Sequence, residues 1–191
     1  VLDDEIHAAR TVRKAHSTST GAFVSPDTGP IGRVIEGAVT IFNRPGRACL
    51  KLPEPLQPVV EPRVVLAPMA LGVDDVALRA VAEQADGLVL IAFGAGNAPT
   101  SVVETLTELA QRMPVVLTTR TAAGPVTTST YGYAGSGSDL LARGLISGGY
   151  LGPYKARILL QILAQFALAA INTGWLDATI LARHPMLASL T

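Results

Sequence analysis

The chain has 191 residues, of which 49% are hydrophobic and 16% charged, a balance that excludes intrinsic disorder and leaves room for one full core plus part of another domain. Its 15 Lys and Arg are matched by 15 Asp and Glu, so no net field steers it to nucleic acid or a membrane surface, and a small or neutral ligand or a protein partner is expected. The single cysteine, Cys49, cannot form an intrachain disulfide, and His7, His16 and His184 stand in no HxxH or HxxxH pattern, which leaves no metal-ligand spacing.

Residues 1 to 20 read as a solvated strand-to-loop passage, in which Asp3, Asp4, Glu5, Arg10, Arg13 and Lys14 precede a hydroxyl cluster from Ser17 to Thr20. The chain opens on Val1 with no methionine and no legible secretory leader; its start is expected upstream, and the expected compartment is the cytoplasm. In GRVIEGAVTIF, 32–42, two β-branched runs flank Glu36-Gly37, and glycine supplies the positive φ of a two-residue turn, so a β-hairpin is expected. From Arg44 to Pro62 five prolines (45, 53, 55, 58 and 62) and little periodicity suit an extended linker.

The composition then becomes apolar and periodic. Val64 to Leu66 predicts a short strand, Asp74 a cap for a helix running to Ala85, and Gly87 to Phe93 a second strand. Ser101-Val-Val-Glu104 has capping-box spacing at the head of a helix ending near Met113, and Pro114 to Thr118 predicts a third strand. Strand, helix, strand, helix, strand at such intervals is a parallel βαβαβ unit with right-handed crossovers. Loop 121–138 is too long for a simple connection and is a candidate functional segment. A short helix is expected over Asp139 to Arg143 and a long core-facing one over Pro153 to Ile171, where Gln161 and Gln165 interrupt the apolar run. The tail 172–191 gives only a weak helical signal.

In GLVLIAFGAGNAP, 87–99, a buried strand runs into a glycine-rich turn carrying one polar side chain, Asn97. Ligands of open α/β sheets gather at the carboxyl ends of parallel strands. Asn97 therefore has two readings: a group that hydrogen-bonds a small polar ligand through its carbonyl and amide, or a turn residue that tolerates a left-handed backbone. Pro99 stands where a dinucleotide fingerprint needs its third glycine, which excludes nucleotide binding there. Lys14, among Arg10, Arg13 and several hydroxyls, is either a proton relay or part of a solvated cationic face. His16-Ser17 lacks a third group, and chain neighbours rarely meet in nucleophile–base geometry. Arg120, after Thr118 and Thr119 at the end of the third strand, is expected to pair with an acidic group of the long loop rather than with a ligand carboxylate.

Taken together, LDDEIHAARTVRKAHSTSTGAF (2–23), SPDTGPIGRVIEGAV (25–39), the proline-rich linker, GLVLIAFGAGNAP, PVVLTTRTAAGPV (114–126) and LISGGYLGPYKARILLQIL (145–163) resemble, in order, the bacterial-type L-asparaginase and glutaminase-asparaginase family. The resemblance implies an α/β fold: a β-hairpin remnant of a larger catalytic domain (1–45), a linker (46–62) and a smaller parallel three-layer sheet domain of Rossmann or flavodoxin-like kind (63–191). It further implies hydrolysis of the side-chain amide of asparagine, and often glutamine, through a threonine nucleophile and an acyl-enzyme, with no cofactor. Lys14, following Ala8 and Arg10 in the family's AxR-xxxK segment, matches the lysine of its Thr-Lys-Asp relay; Asn97 matches the GxGN asparagine that reaches a neighbouring subunit's site. A homotetramer of close dimers is implied as well. The family's TGGT and GTDT strings, which carry the nucleophile and a Thr-Asp pair, do not occur in this sequence, and 126–138 holds no acidic residue to assign. Two readings follow: the carboxy-terminal part of an asparaginase, inactive by itself, or a non-catalytic α/β binding or assembly module that keeps the fold. In either case residues 1–45 are expected to be poorly ordered or aggregation-prone, and 63–171 able to fold alone.

Overall fold

The structure is a computed structural model, and it describes residues 1–46 and 61–172, with the backbone alone for 167–172. The linker and tail expectations therefore lie mostly outside the described residues. The chain divides into two units, one comprising Val1–Lys51 with Ala122–Gly124, the other Leu52–Thr121 with Pro125–Thr191.

The first unit is built from short antiparallel pairings. Asp3 and Asp4 both take positive φ, 51° and 57°, so the acidic triplet closes a tight turn in which Leu2 and Glu5 exchange backbone hydrogen bonds of 3.0 Å. Strand β1 (Glu5–Ile6) follows, then β2 (Arg13–Lys14) and β3 (Phe23–Val24), which pair with each other. The predicted hairpin forms as β4 (Gly32–Ile35) and β5 (Ala38–Ile41), with Glu36 at φ 52° and Gly37 at φ 77° in the two-residue turn. These strands order as β1-β4-β5, and all four residues of β5 are exposed.

The second unit is a four-stranded parallel sheet in the order β6 (Val64–Pro68), β7 (Gly87–Ala92), β8 (Val115–Thr119), β9 (Ile146–Ser147). Between them run α1 (Asp75–Ala82), a 3-10 turn (Thr100–Val102) leading into α2 (Val103–Arg112), and α3 (Gly137–Ala142); α4 (Pro153–Asn172) follows. The period-2 pleat sorts side chains cleanly between two cores. Leu88, Leu90 and Ala92 of β7 and Val115 and Leu117 of β8 join Leu78 and Ala82 of α1, Leu106 and Leu109 of α2 and Leu140 of α3. Val64, Val89 and Val116 face the other way, against Ala156 and Leu160 of α4. A sequential strand order requires crossovers of one hand to pass over one face, which places α1, α2 and α3 together and leaves α4 to cover the opposite face. Gly87 lets α4 approach closely, since a Cβ there would lie 3.1 Å from the Leu160 side chain.

Two local expectations change. Asp74 does cap α1, accepting from the Ala77 amide at 2.9 Å. Ser101, by contrast, does not cap α2: it lies inside the 3-10 turn, which begins after Pro99, and the residue preceding α2 is Val102. The βαβαβ unit also gains a fourth strand, β9, only two residues long.

Candidate functional site

The GAGN turn caps the carboxyl end of β7. Phe93 and Asn97 exchange backbone hydrogen bonds of 2.8 and 2.9 Å, closing a loop over Gly94, Ala95 and Gly96. The left-handed positions of that loop are Gly94 (φ 45°) and Gly96 (φ 108°), while the positive-φ non-glycine residues are Asp3, Asp4 and Glu36. Asn97 is therefore not there to tolerate an unusual backbone.

The end of β8 and the long loop grip this turn. The Thr119 hydroxyl donates to the Gly94 carbonyl, the Thr127 amide to the Ala95 carbonyl at 2.9 Å and the Ala98 amide to the Gly135 carbonyl at 2.8 Å. A Cβ on Gly96 would lie 2.9 Å from the Val126 side chain, and one on Gly135 2.4 Å from the Ala98 carbonyl oxygen. Held this way, the Asn97 Oδ1 is buried with no hydrogen-bond partner among the described residues. Such an acceptor costs about 1–3 kcal/mol to leave unmade.

The far end of the loop is anchored by charge. Ser136 accepts from the Asp139 amide at the head of α3, and Asp139 accepts from the Gly135 amide at 2.8 Å. That backbone N–H, then the Arg143 guanidinium at 3.0 Å, hold the Asp139 carboxyl below its usual range against partial burial. Arg143 reaches on to Glu104 at 3.1 Å and Thr107 at 3.3 Å, tying α3 to α2. Thus the loop that sequence length alone singled out is a tied structure; its gripping residues, Val126, Thr127 and Gly135, carried no signal beyond the glycines.

Arg120 corrects another expectation. Its guanidinium lies over the Phe93 ring, 4.5 Å from the centroid, at the foot of the GAGN turn, rather than against an acidic group of the loop.

In the first unit Lys14 stands exposed on β2, opposite Phe23 of β3, its ammonium 5.8 Å from the Phe23 ring centroid. Arg13 beside it donates to the Ala122 carbonyl. The His16 Nδ1 accepts from the Thr18 and Ser19 amides at 3.1 and 2.9 Å, so its ring organises the hairpin loop instead of serving Ser17 as a base. Among the described residues no group of three His, Cys, Asp or Glu side chains is placed to hold a metal ion, and no helix is long and apolar enough to cross a membrane.

Two family models match the chain, one described as Asparaginase, N-terminal, over residues 1–47, the other as Glutaminase/Asparaginase C-terminal domain, over residues 63–168. Among curated proteins, a "Probable L-asparaginase" of Deinococcus radiodurans is 39% identical over 169 residues, covering 85% of this chain and 49% of the relative. An L-asparaginase of Bacillus licheniformis is 32% identical over 166 residues, with 85% and 50% covered. A glutamyl-tRNA(Gln) amidotransferase subunit from Methanosarcina acetivorans is 30% identical over 169 residues, with 84% and 38% covered. The chain spans about half the length, or less, of these relatives.

Proposed function

The chain belongs to the glutaminase/asparaginase family, and from that premise we propose that it contributes two groups to an amide-hydrolysing site, Lys14 as a proton relay and Asn97 as a substrate-binding donor and acceptor. The observation that carries the reading is the Asn97 side chain: a buried Oδ1 without a partner among the described residues, on a turn whose left-handed positions are glycines.

In this reading the proton of a threonine hydroxyl leaves through a relay that includes Lys14 as the hydroxyl oxygen bonds to the amide carbon of asparagine. The carbon–nitrogen bond then breaks, the proton leaves with ammonia, and water hydrolyses the ester to aspartate. The reaction needs no cofactor. Asn97 would hold a polar group of the substrate in a neighbouring subunit of a homo-oligomer, and the division into 1–45, 46–62 and 63–191 belongs to the same proposal, as does asparagine breakdown in the cytoplasm. Neither TGGT nor GTDT occurs in these residues, so the 191-residue polypeptide by itself is expected to release no ammonia from asparagine. Ammonia formation above background that survives Lys14→Met would overturn this. In a protein that joins the chain to the family's threonine-bearing segment, Asn97→Ala should lower kcat/KM at least about tenfold; unchanged kinetics would reject the binding role.

The Methanosarcina relative favours a second reading, in which the amide nitrogen is passed to an acceptor. Comparing ammonia release from asparagine and from glutamine, with and without an amide acceptor, separates the two.

A further inference from the structure

One buried polar cluster in the first unit is untouched by the proposed chemistry. The His7 side chain is only 4% exposed, and its Nδ1 lies 3.0 Å from the Ser25 Oγ. Ser25 is 5% exposed and directly follows β3. The Thr11 hydroxyl, two residues before β2, is 3.3 Å from the same Ser25 oxygen and 3.4 Å from the Ala8 carbonyl. On the other side of the ring, His7 Nε2 is buried without a hydrogen-bond partner among the described residues, 3.5 Å from a Glu5 carboxylate oxygen, while Arg33 pairs with the other Glu5 oxygen.

One proton assignment suits the row from His7 Nδ1 through Ser25 to Thr11. A proton on His7 Nε2 faces the carboxylate, leaving Nδ1 to accept from the Ser25 hydroxyl, whose oxygen then accepts from Thr11. Such a chain is cooperative, each bond polarising the next. It also sits at a mechanically telling place. β2 and β3 are two residues each, paired Arg13 to Val24 and Lys14 to Phe23, with one more backbone bond from Ala15 to Ala22 at 2.7 Å. So small a ribbon depends on contacts beyond its own ladder. Ser25 follows one strand, Thr11 leads into the other, and both meet at the Ser25 hydroxyl, which His7, the residue after β1, also reaches.

We infer that His7, Ser25 and Thr11 are positioning residues for Lys14, a hydrogen-bonded node at the base of the β2–β3 ribbon that sets where its ammonium stands. The role in turnover rests on the proposed reading of Lys14; the structural half does not. A relay group must be held to about half an ångström to act, and Lys14, exposed on a two-residue strand, takes that precision from the node. Ser25 is not itself a nucleophile, because its buried hydroxyl is committed on both sides.

The test has two arms. In the isotopically labelled 191-residue chain, the Phe23 ring should shift the Lys14 side-chain methylene protons upfield, and the neutral His7 ring should show its proton on Nε2. Thr11→Val, nearly isosteric, and His7→Phe should each abolish at least half of the upfield shift, whereas Thr11→Ser and His7→Asn, which keep a hydrogen-bonding atom in place, should restore it. If His7→Phe does not fold, Thr11→Val decides alone. Lys14 signals unchanged in Thr11→Val overturn the inference. In a catalytically competent protein carrying the threonine-bearing segment, Thr11→Val should lower kcat about tenfold with KM held within about twofold, and Thr11→Ser should recover it. Unchanged kcat in Lys14→Met would reject the relay reading itself while leaving the spectroscopic result standing; a normal kcat in Thr11→Val beside a dead Lys14→Met would reject the node alone.

Discussion

Asn97 sets stability against use. Because its Oδ1 is buried without a partner among the described residues, removing the polar group removes a cost. Asn97→Leu should therefore leave thermal stability unchanged or raise it, while removing any binding role. A loss above about 1 kcal/mol would identify the side chain as structural. Gly96 makes the opposite prediction: at φ 108° with Val126 2.9 Å from a would-be Cβ, Gly96→Ala combines backbone strain with a clash and should cost about 1–3 kcal/mol, read by denaturant titration. At this scale sequence reading singles out Asn97 and Lys14 as candidates, because a glycine-flanked polar residue at a strand end and a lysine in a recognisable segment are local patterns. It did not reach Arg120 over Phe93, whose partner is 27 residues away, nor the His7–Ser25 bond, across 18 residues of sequence. A side chain's partner is a property of the fold, and one sequence carries no record of it.

Among the elements, those with several turns or a full apolar run were legible: β7, α4 with Ala156, Leu160 and Leu163 on its buried stripe, and α1 behind its Asp74 cap. The misreading at α2 has a definite origin. Ser101 and Glu104 have the spacing of a reciprocal cap, but Pro99 starts a 3-10 turn that carries Ser101 past the capping position, and Glu104 pairs with Arg143 instead. The two-residue strands β1, β2, β3 and β9 are too short for any period to show, existing only through their pairings. α3 yields a pH prediction. Its Asp139 carboxyl is held below the ordinary range by the Gly135 amide and by Arg143, so it contributes stability that is complete above the unfolded carboxylate pKa, about 3.9, and is lost as pH falls through the lower folded value. Asp139→Asn should lower stability at neutral pH and flatten the acid limb below about pH 4. An acid limb identical to the parent's would show the clamp to be idle.

Among the described residues, one hairpin gathers several exposed apolar side chains. Ile35, Val39, Ile41 and Phe42 are 43 to 66% exposed on the β4–β5 hairpin, and β5 is the last strand of its sheet among the described residues. An exposed apolar edge strand templates association. Val39→Thr with Ile41→Lys should raise the soluble fraction on concentration, as light scattering would show, with little change in unfolding midpoint; equal scattering would clear this edge. The change of composition after Pro62 was readable because a linker-like stretch gives way to periodic apolar segments. One larger arrangement was not readable at all. Ala122–Gly124 belongs to the first unit, with the Gly124 amide donating to Asp27 across 97 residues of sequence at 2.8 Å. On the ribosome, then, the last segment of the first unit follows three strands of the second unit's sheet. The first unit must wait, incomplete, until β6, β7 and β8 have been synthesised, and a truncation anywhere before residue 124 would leave it permanently short of that contact.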